Sequence, residues 1–418
     1  MTELMNFRAK ALDRQALEQV ADWLAVAVAV SLPWSTSATG ILIVLWLLAV
    51  LPTLEVAAVR RELTTAAGGL PVLLWVLAAF GMLWADVSWR ERLGGFESFQ
   101  RFLVIPLLLA QFRRSEFGFR VLFGFFLSVL GVLLFSWALV LFPSLPWSSS
   151  AYGVPVKDYI LQGEEFLICA VVLLRLAIDA GRAGRWRPVA WLMALAVLLL
   201  ANIAFVATGR TTLLVAPVLI VLLGWREFGL KGALAAATLF GVVGAGVAVE
   251  SPYLYERLKK TIEEIDAPQT GMQTNSTHQH WELIKRSFSS VLTAPIIGHG
   301  TGSIPEQYRK AAVGDEPRSL ANPHNQILAV AVQLGLVGAA VLVAMWAAHF
   351  MLFRGSSLTA WIGITIVTQN VVSSLFNSHL FDFTQGWLYV FGVGIAGGTA
   401  LRERARRSGS HEADPITA

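Results

Sequence analysis

The stretch Asn322-Pro323-His324-Asn325 runs straight into QILAVAVQLGLVGAAVLVAMWAAHFML, residues 326–352. Crossing a bilayer takes about 20 apolar residues in a helix, so this run is long enough to span. The polar tetrapeptide therefore stands at a seam between water and membrane. Working outward, further apolar runs lie near 20–34, 36–58, 70–85, 102–112, 118–142 and 164–180. Others follow near 188–207, 212–225, 231–249, 357–376 and 383–400. Together they make about 12 expected spans. Composition agrees, with 56% hydrophobic and only 14% charged residues, where a soluble domain carries about 25% charge. The runs have helical length and lack the alternation of a membrane barrel, so the chain reads as an all-α integral membrane protein.

Placement of charge orients it. Arg60, Arg61, Arg113, Arg114, Arg120, Arg182, Arg185, Arg187, Arg226, Lys231, Arg354 and the arginines at 402–407 fall on one set of connections. The opposite short loops hold only Arg90, Arg92, Arg101, Lys157 and Arg210. The positive-inside bias puts both termini in the cytoplasm and residues 250–325 outside. Residues 1–249 thus read as nine membrane helices, 250–325 as an outer loop, 326–400 as three further helices, and 401–418 as a cytoplasmic tail. Residues 1–19 lack the apolar core and cleavage site of a signal peptide, so the N-terminus is expected to be retained. Inside the loop, Tyr253–Ile265 and Trp281–Leu292 have helical spacing. Residues 268–277 read as a linker and Gly298–Gly302 as a glycine turn.

All the informative polar residues share that outer face. His324 has an ordinary pKa of about 6.5 and can accept a proton at neutral pH. Asn325 is placed to cap the helix that follows. The local sequence leaves a second reading open, a histidine that only satisfies hydrogen bonds at the interface. Arg210 nearly fills a very short outer loop, and its planar fork of donors suits a phosphate or diphosphate. An arginine snorkelling to lipid head groups is the alternative. Lys157, Arg286 and Lys285 add positive charge nearby, with Arg286 on the amphipathic helix of Trp281 and Phe288. His278-x-His280 is not the i, i+4 pair of a zincin, and no outer cysteine supports a metal site, so no metal is expected. Glu264-x-Asp266 reads as a solvated helix end. No phosphate-binding Gly-x-x-x-x-Gly-Lys motif or Gly-x-Ser-x-Gly elbow occurs, and neither a cofactor nor a nucleic-acid partner is expected.

Trp281 and Phe288 lead to Pro295, then to IIGHGTGS at 296–303 and Tyr308; NPHNQILAVAVQLGLVG follows at 322–338. This order resembles the signature region of the bacterial O-antigen ligase and polymerase superfamily. Pro295, Gly298, Gly300, His324, Asn325, Leu328, Leu334, Gly335 and Gly338 fall on its pattern, and Gly209-Arg210 matches its upstream Gly-Arg position. The resemblance covers about residues 200–340 and departs from the pattern just before Trp281. Members there often carry an arginine, where this chain has Thr277-His278-Gln279-His280.

The resemblance implies a GT-C-like glycosyltransferase of the bacterial inner membrane, with its active site on the periplasmic face. The donor would be a glycan on undecaprenyl diphosphate and the acceptor the lipid A–core oligosaccharide, within a bed of membrane lipids. His324 would be the base, with Asn325, Gly298 and Gly300 in support. Arg210, Arg286 and Lys157 would bind the diphosphate, and transfer would be metal-independent and inverting. An O-antigen polymerase would carry the same motif. A transporter or flippase for lipid-linked sugars is the reading from another class, disfavoured by the small number of charges within the spans.

Overall fold

The computed structural model describes residues 14–145, 147, 152–250, 259, 276–311 and 322–412. Among these the regular structure is helical, with no strand. Four helices open the chain: α1 (Arg14–Ser31), α2 (Thr36–Val50), α3 (Val56–Leu63) and α4 (Ala66–Gly81). Six follow: α5 (Trp89–Gln100), α6 (Val104–Arg114), α7 (Gly118–Leu141), α8 (Tyr159–Arg182), α9 (Trp186–Phe205) and α10 (Arg210–Glu250). The last are α11 (Ser276–Thr293), α12 (Ile304–Ala311), α13 (Gln326–Leu352), α14 (Leu358–Ser373) and α15 (Phe383–Glu412). Apart from Lys259, the helix expected at 253–265 lies outside the described residues, as do the 264/266 acidic pair and the residues before 14. Of the linker expected at 268–277, residues 268–275 lie outside them and Ser276 and Thr277 open α11.

Six stretches among the described residues are long and apolar enough to cross a membrane, or seven if the α3–α4 pair, bent by 85°, is one span. The sequence led us to expect about twice as many. Most of the difference has a physical cause. α14 is only 16 residues long. α1 carries Glu18 and Asp22, and α8 carries Glu164, Glu165, Arg175 and Asp179, which dilute their hydropathy although Asp22, Glu164 and Glu165 are buried. α10 merges two of the expected runs, for Gly229 breaks it at φ 66° and ψ −155°. The chain then folds back, so that a Cβ on Gly224 would fall 2.4 Å from the carbonyl oxygen of Gly232.

Lipid supplies no hydrophobic drive between helices, so packing and buried polar contacts must hold the bundle together. One apolar core joins α1, α2, α4, α6, α13 and α15 around Trp46, Leu108 and Phe391. A second joins α7 to α10 around Phe166, Leu199 and Leu219. Each carries a polar knot. Gln111 on α6 donates to Asp22 at 2.8 Å and accepts from Trp46 Nε1 at 2.9 Å, tying α1, α2 and α6 together. Gln162 on α8 donates to Asn202 Oδ1 at 2.9 Å, and both reach Ser136 on α7. A third, small core of Leu283, Val291, Ile304, Tyr308, Ala329 and Val332 holds α11 and α12 against the first turns of α13.

The break in α13 positions the rest. Gly335 has φ 64°, a left-handed conformation that costs glycine little and a side chain much. The interruption leaves helical groups without their usual partners, and the 295–302 loop supplies them. Leu336 and Val337 donate to the carbonyls of Pro295 and Ile296, while His299 and Gly300 donate to Val332 and Gln333. Contact is backbone on backbone: a Cβ on Gly335 would sit 2.1 Å from Ile296 O, and one on Gly298 2.5 Å from Gln333 C. The glycine turn and the Leu-Gly motif thus form one joint.

Candidate functional site

The start of α13 is fixed from both sides. Asn325 has extended backbone and accepts from Leu328 N–H at 3.0 Å, as a helix cap does, while its amide donates to Leu375 O at 3.1 Å. Ahead of it, His324 adopts φ 50°; Lys157, at φ 56°, is its one non-glycine companion with positive φ among the described residues. Such a conformation persists only where its surroundings impose it. Here Asn322 imposes it: its side-chain oxygen accepts from His324 N–H at 2.9 Å, and its amide donates to Asn377 Oδ1 at 2.9 Å. The imidazole is half-buried and turned inward.

α11 brings a second imidazole to it. The rings of His280 and His324 stack with centroids 3.8 Å apart and planes 15° from parallel. Desolvation and then the charge of His280 push His324 down to about 4, with Asn377 and Asp382 opposing and His379 adding to the shift. Desolvation and then Arg210 lower His280 as well. Both rings are therefore neutral at pH 7. Arg210 is close enough to be felt because it heads α10 on a buried Thr208-Gly209 turn laid over Ile160 and Gly163 of α8.

Behind them the loop between α14 and α15 carries another histidine. His379 is 1% exposed, with Nδ1 3.1 Å from Asp382 and Nε2 3.4 Å from Glu164 on α8. Burial would lower His379, but these two carboxylates outweigh it, Glu164 first, and raise it overall. Arg101, also buried, donates to the backbone carbonyls of Phe381 and Asp382 and so holds this loop in place. Beside the Asn322-Pro323 turn opens a cavity of about 340 Å³, lined by Gly94, Ser98, Asn322, Gln333 and Asp382 among others. That is the size of a small-ligand cleft.

Of the residues singled out in the sequence, Arg210, His324 and Asn325 meet here. Gly298 and Gly300 sit at the α13 joint, where Trp84 Nε1 donates to Gly298 O at 3.3 Å. Lys157 is turned elsewhere: its ammonium donates to Leu32 O and to Thr384 Oγ1, the latter at 3.0 Å. Arg286 lies near Tyr308, whose hydroxyl is 2.6 Å from Ser287. Six residues beyond His280, it points about 240° further round the helix. Sequence reasoning missed His280, His379, Asp382 and Glu164. The signal for His280 was present, as a basic side chain in the segment where an arginine was expected.

Residues 194–343 match the family model described as O-antigen ligase. Over this segment, a little over a third of the chain, the protein is similar to that family. No curated protein matches it. The matched segment contains Arg210, His280, His324 and both glycine elements of the joint. Lys157, Glu164, His379 and Asp382 fall outside it. Members of this family are membrane glycosyltransferase-like enzymes, and the helical bundle with its apolar spans fits that class.

Proposed function

We propose that this protein is an O-antigen ligase, moving a glycan from undecaprenyl diphosphate to the lipid A–core oligosaccharide at the periplasmic face of the inner membrane. The observation that carries this reading is the convergence of Arg210, His280 and His324 at the rim of the bundle, beside a polar cavity. In the proposed reaction an acceptor hydroxyl attacks the anomeric carbon, the bond from that carbon to the diphosphate oxygen breaks, and His324 takes the hydroxyl proton. The diphosphate leaves with the bonding pair, its charge met by Arg210. One base and a single displacement give inversion.

His324 at about 4 is neutral and can accept a proton at pH 7. A diphosphate arriving beside it raises the basicity of both imidazoles, because an anion favours their charged forms. We assign the second cationic contact to His280 in preference to Arg286 or Lys157, since His280 already touches His324. The sugar of the acceptor fits the cavity at Gly94, Ser98 and Asp382. About twelve spans, a GT-C-like arrangement and cytoplasmic termini complete the proposal.

A polymerase of the same family would use the same donor with a growing glycan as acceptor. Purified protein, undecaprenyl-diphosphate glycan and lipid A–core together test the reading. A ladder of glycosylated lipid that needs all three and no nucleotide supports the ligase. Product from the glycan donor alone makes it a polymerase. Full transfer by both His324→Ala and Arg210→Ala would remove the site assignment.

A further inference from the structure

At the other end of the bundle lies a recess that the transfer reaction leaves unused. It has a volume of about 560 Å³ and is lined by Arg175, Arg182, Arg226, Glu227, Arg354 and Trp361 among others. Its distance from the transfer site follows from the helices. α10 starts at Arg210 and reaches Arg226 sixteen residues later, roughly 24 Å at 1.5 Å per residue. α8, α13 and α14 run between the same two ends.

The recess holds more positive charge than its carboxylates match. Glu227, whose side chain is 7% exposed, takes Arg175 Nε at 2.7 Å and Arg182 Nη1 at 2.5 Å. Arg175 also pairs with Asp179, and its side chain is only 12% exposed. Arg226 lies over the Trp361 ring at 5.6 Å and donates from one terminal nitrogen to the carbonyls of Phe353 and Gly355, contacts that leave its charge unneutralised. Arg354 makes no ion pair among the described residues. Four arginines thus face two carboxylates, and the next shell adds one of each sign, Arg404 and Glu403. Surplus charge in a recess between helices is costly unless an anion answers it.

The setting says which kind of anion. Trp186, Trp225 and Phe228 are all more than half exposed at this end, as aromatic side chains are at a membrane–water interface. A soluble anion would need no such apolar approach. We propose that this recess binds the phosphate of an anionic phospholipid head group, with its acyl chains lying along the exposed aromatic side chains. Basic pockets between membrane helices recognise such head groups by charge and donor geometry.

The test uses the full-length protein in detergent, titrated with phosphatidylglycerol, with phosphatidylcholine, or with inorganic phosphate, and read by thermal unfolding. Phosphatidylglycerol is expected to raise the midpoint, and the other two are not. In the Arg226→Gln, Arg354→Gln variant the apparent affinity for phosphatidylglycerol should fall roughly thirtyfold, the effect of two arginines beside an anionic surface. Arg354→Gln alone, at an exposed position, serves if the double variant does not fold, with a smaller loss in the same direction. An equal response to phosphatidylcholine, or unchanged affinity in the variant that folds, would overturn the proposal. An equal shift with inorganic phosphate would replace the lipid with a soluble anion. None of these outcomes bears on glycan transfer at His324.

Discussion

The His280 and His324 rings stack 3.8 Å apart, so one imidazole controls the proton affinity of the other. His280 lowers His324 both by its charge and by helping to cover it. Removing it in His280→Ala should move His324 upward from about 4 toward its ordinary 6.5. The base must be neutral to work, so the acidic limb of the pH–rate profile should move to higher pH. Imidazole NMR titration of His324 gives the shift directly. An unchanged limb would mean that the stack does not tune the base.

The same groups give stability a pH dependence. The folded state holds His324 below its unfolded value, so between about 6.5 and 4 the unfolded chain binds more protons. Stability from this group is full above 6.5 and lost as pH falls toward 4. His379 has the opposite sign: it is raised, so its contribution is full below 6.5 and lost as pH rises through its folded value. His324→Gln should therefore flatten the acid side of a plot of melting temperature against pH, and His379→Gln the basic side. Identical curves for wild type and both variants would refute this assignment.

The joint in α13 predicts a defect at a distance. Gly335→Ala places a Cβ 2.1 Å from Ile296 O and a side chain at φ 64°. Strain of this kind costs about 1–3 kcal/mol before any backbone shift. The 295–302 loop should detach, exposing the amides of His299, Gly300, Leu336 and Val337 to hydrogen exchange. Transfer should fall together with melting temperature. A variant with wild-type exchange at these amides would mean that the joint tolerates a side chain.

The glycine turn at 298–302 was legible in the sequence, and the resemblance pointed to Gly335, but their docking on each other is a tertiary contact that neither motif records. The cap at Asn325 was equally plain from its place ahead of the apolar run. His280 was not. Only the rotational setting of α11 brings its ring onto His324, and that setting is not written in the local sequence. Lys157 read as an outer cation, yet it is turned to a carbonyl 125 residues away in sequence, which no local pattern records. Apolar runs in the sequence numbered about twelve, whereas six or seven stretches among the described residues are long and apolar enough to span. Glu164 and Asp22 lower the hydropathy of their helices yet lie buried, each accepting a hydrogen bond, from Gln385 and Gln111 respectively.

The cavity beside Asn322 should govern the acceptor. Gly94 lines it, and a Cβ there would meet nothing within 4 Å. Gly94→Trp can therefore fill the space without disturbing the fold. Acceptor KM should rise about tenfold or more, the loss of some 1.4 kcal/mol of binding, while donor KM stays near wild type. Equal effects on both substrates would place the acceptor elsewhere.

Asn325 separates capping from positioning. Its oxygen caps α13 through Leu328 N–H, and its amide ties the turn to Leu375 O. Asn325→Ala loses both and should cost about 1 kcal/mol for the cap alone. Asn325→Asp keeps an oxygen for Leu328 and adds a negative charge that a helix start favours, but it turns a second oxygen toward the Leu375 carbonyl. Its melting temperature should therefore recover more than its kcat. That outcome is expected because the amide link to Leu375, together with Asn322 and Asn377, holds His324 at φ 50° under His280. If kcat recovers as fully as stability, the turn is held by Asn322 alone and the Leu375 link is dispensable.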